Sequence, residues 1–204
     1  MKLLTTLTLI CLTYFVVVIV LLHFLRQDVN PISSPTSEYA VGEYGFLMTT
    51  AFFSMSVGSL SFVYVFYKIT PQQAKSRIGL ILFGVWGIGV LVAMLFPINP
   101  AGTELTTTST IHRINGPIVF LSLTMGAILI SSRFRRHENW RPFYPASLTL
   151  SLIMLALFIT TGASIATNSG FEGICQRVFL MVFVTWFTLT TLRLRSTIRN
   201  GDRV

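Results

Sequence analysis

The chain has 204 residues, of which 52% are hydrophobic and 11% charged, against a soluble average of about 45–50% apolar and about 25% charged. A mean hydropathy of +0.71, with uncharged apolar runs of about 20 residues recurring throughout, excludes a water-soluble globule, a disordered segment and a disulfide-stapled secreted domain. The net charge of +8 is parcelled out between apolar runs rather than gathered into one stripe, which excludes a nucleic-acid-binding domain and suits contact with anionic membrane lipid.

The first run, Leu3 to Leu25, is much longer than the ~7–15 apolar residues of a secretory signal, and no small-x-small cleavage site precedes Arg26. It is expected to remain as the first membrane helix. The connection that follows holds Arg26, Asp28, Asn30-Pro31, Ser34-Pro35, Ser37-Glu38-Tyr39 and Gly42-Glu43. Ser34 before Pro35 has the form of a helix cap and first turn, with Gly42 as a stop, so a short interfacial helix is expected there.

Five further charge-free runs follow, over 45–67, 78–96, 114–132, 146–167 and 174–192, the last holding Arg177 near its start. The reading is an all-α, six-span transmembrane bundle forming one integral membrane domain over 1–204. The eight prolines fall in connections or near the first turn of a run, Pro117 among the latter, so unbroken helices are expected. Small residues four apart mark close helix approach at Ser54/Gly58, Gly89/Ala93, Ser122/Gly126 and Gly162/Ala166. The sixth span lacks such a pair and is rich in Phe and Val, which assigns it to the lipid-facing side. Trp140, Phe143 and Tyr144 are expected in an interfacial aromatic belt.

Orientation follows from Lys and Arg on alternate connections. Twelve lie on the side of the termini and three, Arg26, Arg113 and Arg177, on the other, so both termini are expected in the cytoplasm. Five of the seven acidic residues (Asp28, Glu38, Glu43, Glu104, Glu172) share the side of those three.

No run carries a charge at its middle, which weighs against pumps and voltage sensors, and paired core histidines for a haem are missing. Cys11 and Cys175 lie at different depths with no CxxC partner, too far apart for a disulfide. What remains is polar residues at the outer edge. Only fifteen residues separate Arg177 from Arg193, about 22 Å of helix against ~30 Å of hydrocarbon. Either both side chains snorkel, or Arg177 turns into the bundle to pair with a carboxylate such as Glu172 or Glu38. His112, His23 and a carboxylate supply metal-ligand types without a motif spacing, and Ser37 with His112 supplies nucleophile and base types.

The segments Asn30-Pro31-Ile32-Ser33, Ser37-Glu38-Tyr39 and Phe96-Pro97-Ile98-Asn99-Pro100, with His112, Arg133-Phe134-Arg135-Arg136 and Gly173 through Arg177, taken in order, resemble the prokaryotic integral-membrane family called domain of unknown function 998. The resemblance implies a multi-span membrane protein and brings no activity, substrate or catalytic residue. Where that family's pattern often has an acidic residue, this chain has Asn99, an amide unable to act as a general base.

The leading expectation is a non-enzymatic protein, without cofactor or metal, whose outward polar cup binds a small anionic ligand or a lipid headgroup. The cup would be built from Arg177, His112, Glu38, Arg113, Arg26, Glu172 and Ser37. The alternatives are a membrane hydrolase or transferase acting on outer-leaflet lipid or envelope precursors, and a structural partner in an envelope complex.

Overall fold

The computed structural model describes residues 1–99 and 103–200. Six long helices are present: α1 (Lys2–Leu25), α2 (Gly45–Ile69), α3 (Arg77–Leu95), α4 (Thr107–Phe134), α5 (Tyr144–Thr167) and α6 (Glu172–Asn200). All six are long and apolar enough to cross a bilayer, and the described residues contain no strand. The protein is a multi-pass membrane protein with an all-helical fold. Each helix packs on its neighbours in sequence, and α1 meets α6 to close the ring. The short connections between α2 and α3, α4 and α5, and α5 and α6 favour that order, because helices joined by a few residues pack antiparallel and adjacent. We call the end carrying the chain termini the terminal end, and the other the distal end.

The ring is filled by aromatic side chains. Phe62 of α2, Phe83 of α3 and Phe183, Trp186 and Phe187 of α6 are buried and stack edge-on or tilted, with Phe62–Phe187 centroids 4.9 Å apart and Phe83–Phe187 5.0 Å. The Trp186 indole N–H donates to Ser131 Oγ at 3.0 Å and Ser147 Oγ at 2.9 Å, tying α4, α5 and α6 together at the terminal end. In hydrocarbon such bonds have no water to compete with, and their donors have few other partners.

Several expectations are corrected. α6 turns its large aromatic side chains into the middle of the ring, and α5 is the lipid-facing helix, with only Ser147, Ser151, Met154 and Ser164 buried. The reason is that the ring needs volume at its centre, which α6 supplies as large rings; small residues report close approach of backbones, a different quantity. Close approach does occur at Gly58, where a Cβ would lie 2.8 Å from Cys11 Cβ, and at Gly89, where it would lie 1.8 Å from Val119 Cγ1. Gly162 faces open space instead. Trp140 is fully buried against Phe66 and Phe134 rather than in an interfacial belt. α4 begins at Thr107, capped by the Thr106 hydroxyl accepting from the Ser109 N–H at 3.2 Å. His112 and Arg113 therefore stand on the helix, and Pro117 lies in its interior rather than its first turn.

Candidate functional site

The distal end is organised by its first connection. After α1 the chain runs over the end of α6 so closely that a Cβ on Gly173 would lie 2.6 Å from the Ser34 carbonyl and 2.7 Å from that of Ile32. The Ile174 N–H donates to Ile32 O at 2.9 Å. A short 3-10 turn, Thr36–Ala40, follows. It is flanked by Pro35 rather than capped by the Ser34 side chain. Gly42 then reverses the chain at φ +78°, a value that favours glycine because it has no Cβ. The Gln176 side-chain oxygen accepts from the Thr36 N–H at 2.8 Å and from its hydroxyl at 3.1 Å.

Two of the three distal arginines act inside this scaffold. Arg177 is 8% exposed and turned into the protein. Its Nε donates to His23 Nε2 at 2.9 Å, Nη1 to the Ser34 carbonyl at 2.6 Å and the Gly173 carbonyl at 3.1 Å, and Nη2 to Tyr39 OH at 3.2 Å. The guanidinium lies 5.5 Å from the Tyr39 ring centroid. It is thus inward-facing, but its partners are neutral acceptors rather than a carboxylate. Because an arginine can only donate, His23 Nε2 accepts; its Nδ1 carries the proton and donates to the Ile19 carbonyl at 2.7 Å. Arg26 is 7% exposed and forks onto Asp28 with two bonds of 2.8 Å, while Nη1 donates to the carbonyls of Val41 and Glu43. The fork is the main reason that the Asp28 carboxyl is held below its usual value and Arg26 above its own, against the opposing effect of burial.

Behind this collar the ring encloses a cavity of about 630 Å³. Its floor is apolar, formed by Phe15, Phe52, Met55, Trp86, Phe120 and Leu180. These positions stand roughly 10–20 Å along their helices from the distal ends, at 1.5 Å per residue. Its mouth carries Ser37, Glu38, His112, Arg113, Glu172 and Gln176. Five of the seven expected site residues (Ser37, Glu38, His112, Arg113, Glu172) are therefore brought together, whereas Arg26 and Arg177 lie outside the lining. Among the described residues Arg26–Asp28 is the only ion pair, so Glu38, Glu172 and Arg113 reach the mouth without a countercharge. The nearest polar partner of Glu172 is the Ser164 hydroxyl, at 3.4 Å.

His112 Nδ1 is bonded to the Phe96 carbonyl at 2.8 Å. A carbonyl accepts only, so Nδ1 bears the proton and Nε2 offers a lone pair. Asn99 organises the α3–α4 connection: its amide donates to the Glu104 carbonyl at 2.7 Å and its oxygen accepts from the Thr106 hydroxyl at 2.7 Å. A carboxylate could accept the second bond but not donate the first, which gives the amide a structural reason at this position. Pro100, the next residue of that motif, lies outside the described residues. Among the described residues no cluster of three or more His, Cys, Asp or Glu could hold a metal ion, and His23 is engaged by Arg177.

Sequence reasoning did not find His23, Tyr39 and Gln176 as the partners that seat the collar, nor Trp86 and Phe120 as floor. The usable signal for the first group was depth: His23 and Arg177 each stand within one or two turns of the distal end of their helix. The floor had no such signal, since an aromatic residue in an apolar span reads the same whether it faces lipid, core or cavity. Compared with known proteins, the chain matches the model of the family described as Protein of unknown function (DUF998) over residues 9–193. No curated protein and no solved structure matches it.

Proposed function

We propose a function from the cavity itself, because the chain belongs to the DUF998 family, whose function is unknown: the protein binds one membrane amphiphile, its headgroup at the mouth and its apolar part on the floor. The protein sits in a prokaryotic cytoplasmic membrane with both termini inside and the distal mouth facing outward, a reading that the twelve-to-three division of Lys and Arg supports. The observation that carries the proposal is the pairing of an aromatic-lined cavity of about 630 Å³, within the ~300–1,000 Å³ range of ligand sites, with three charged side chains at its mouth that have no ion-pair partner among the described residues.

The charge balance favours a headgroup bearing both signs over a small anion. Among the described residues Arg113 is the one Lys or Arg in the lining, against Glu38 and Glu172, while the donors of Arg177 and Arg26 are spent on the scaffold. Carboxylates at the mouth suit an ammonium group and Arg113 suits a phosphate. The test is ligand-dependent thermal stabilisation of purified protein by a short-chain phosphatidylcholine, compared with inorganic phosphate. Stabilisation by the zwitterion alone, reduced in Glu38→Gln and Arg113→Gln, is the expected result. Stabilisation by phosphate alone, or none by either, overturns the reading.

A second reading is a hydrolase, favoured by one observation. His112 is anchored through Nδ1 to the Phe96 carbonyl and lines the same cavity as Ser37, which supplies a base type and a nucleophile type to one space. Labelling of Ser37 by a fluorophosphonate, abolished in His112→Ala, would select it.

A further inference from the structure

We infer that the cavity is open sideways between α4 and α5, and that the hydrocarbon chain of a single zwitterionic lipid enters by that route while its headgroup stays at the mouth. This rests on the amphiphile reading above and adds the path by which the ligand enters.

The hydrogen bonds and the ring contact that tie the two helices lie in their terminal halves. There Ser131 of α4 and Ser147 of α5 share a 2.7 Å hydrogen bond, Ser151 adds to it, and Phe134 packs on Phe143 just before α5. Beyond Met154 the one buried residue of α5 is Ser164. Its hydroxyl is bonded to Ser169, on the turn into α6, and to Glu172 at the start of α6, not to α4.

Along the facing stretch of α4, Arg113 and Pro117 line the cavity and are yet exposed, so they stand at its edge. Gly116 lines it too, and a Cβ there would meet nothing within 4 Å. Across the seam Thr161 and Ile165 line the cavity from α5, and Gly162 beside them likewise faces open space. Pro117 has no N–H, which leaves the Arg113 carbonyl without its helical donor and weakens α4 against bending at this point.

The occupant follows from depth and chemistry. Gly116 stands three residues beyond Arg113 of the mouth, about 4–5 Å deeper at 1.5 Å per residue, and inside the apolar run that begins at Ile114, so the opening below it faces the acyl region. The floor behind the opening is apolar and offers water almost no partners. A chain sliding in from the side keeps its tail in hydrocarbon throughout and never exposes it to water.

The experiment uses the full chain in vesicles of phosphatidylcholine carrying brominated acyl chains, which quench tryptophan at short range. Trp86 reports on the floor, and the difference between the wild type and Trp86→Phe isolates its signal. We expect Trp86-dependent quenching in the wild type, its loss in Gly162→Leu, whose side chain fills open space on the α5 side of the seam without joining the cavity lining, and unchanged stabilisation of Gly162→Leu by dihexanoyl phosphatidylcholine, which reaches the mouth from water. Gly116→Leu, read by quenching alone because Gly116 lines the cavity, tests the α4 side should Gly162→Leu not fold. Quenching retained in both variants, or loss of both signals together in Gly162→Leu, overturns lateral access. A wild type stabilised by the short-chain lipid but without Trp86-dependent quenching also overturns lateral access and leaves the amphiphile site standing. A wild type with neither signal overturns both.

Discussion

Replacing Arg177 by Gln separates a scaffold residue from a ligand contact. Three of its hydrogen bonds cross to other elements, reaching His23 on α1, the Ser34 carbonyl, and Tyr39 on the 3-10 turn. At about 1.5 kcal/mol each, the low end for a bond with one charged partner, they amount to roughly 4–5 kcal/mol. Solvent at the half-buried Ser34 re-satisfies its carbonyl and removes about 1–2 kcal/mol of that. The net cost is roughly 3 kcal/mol, or about 6–12 °C in Tm at ~2–4 °C per kcal/mol for a chain of this size. Arg177→Lys keeps the charge but not the fork, and should recover less than half of the loss. The assay is thermal unfolding in detergent without added ligand, with a His23→Phe double-mutant cycle expected to give a coupling of about 1 kcal/mol. An Arg177→Gln protein with an unchanged Tm and lost amphiphile stabilisation would refute the scaffold role and return Arg177 to the site.

Three further outcomes follow from the packing and the collar. Gly89→Ala places a Cβ 1.8 Å from Val119 Cγ1 and should destabilise by about 1–3 kcal/mol; the double variant with Val119→Ala should recover most of it in the same unfolding measurement, and no recovery would locate the strain elsewhere. Ser147→Ala removes one of two acceptors for the Trp186 N–H and should cost about 1 kcal/mol, visible as a lower unfolding midpoint with unchanged tryptophan emission. The Asp28 carboxyl is held below its usual 3.8 when folded, so its contribution is present above that pH and is lost as pH falls through the folded value. The Tm should therefore be level above pH 3.8 and dip below it, by a small amount because Asp28 is 64% exposed, and Arg26→Gln should remove Asp28's share of the dip.

Much of the architecture is legible in residue order. Runs such as Ile78–Phe96 have one interpretation when they are uncharged and span the thickness of hydrocarbon, and the structure begins and ends α3 within one residue of it. Element ends are less legible where polar residues lie inside a helix. Thr107 to Arg113 reads as a connection because threonine, histidine and arginine are unfavourable in lipid, yet Ser109, His112 and Arg113 line the cavity and α4 starts seven residues before the apolar run. The candidate site divides along the same line. Glu38, His112, Arg113 and Glu172 share an end of the bundle by topology alone, since alternate connections must emerge together.

What the sequence determined by itself is therefore the number of crossings, the sharing of one end by the polar connections, and the chemistry available there. A chain dissolved in hydrocarbon must satisfy its backbone within each span, and that requirement acts through composition and length without reference to neighbours. What only the tertiary structure decided is direction. Arg177 and Arg113 have the same side chain at the same end, but one points into a cage formed by His23, Ser34 and Tyr39 and the other stands exposed in the lining of the cavity. Which way a side chain turns depends on which helix lies beside it, and in a ring of apolar helices that is fixed by the packing of large and small side chains at its centre rather than by any local property of the residue.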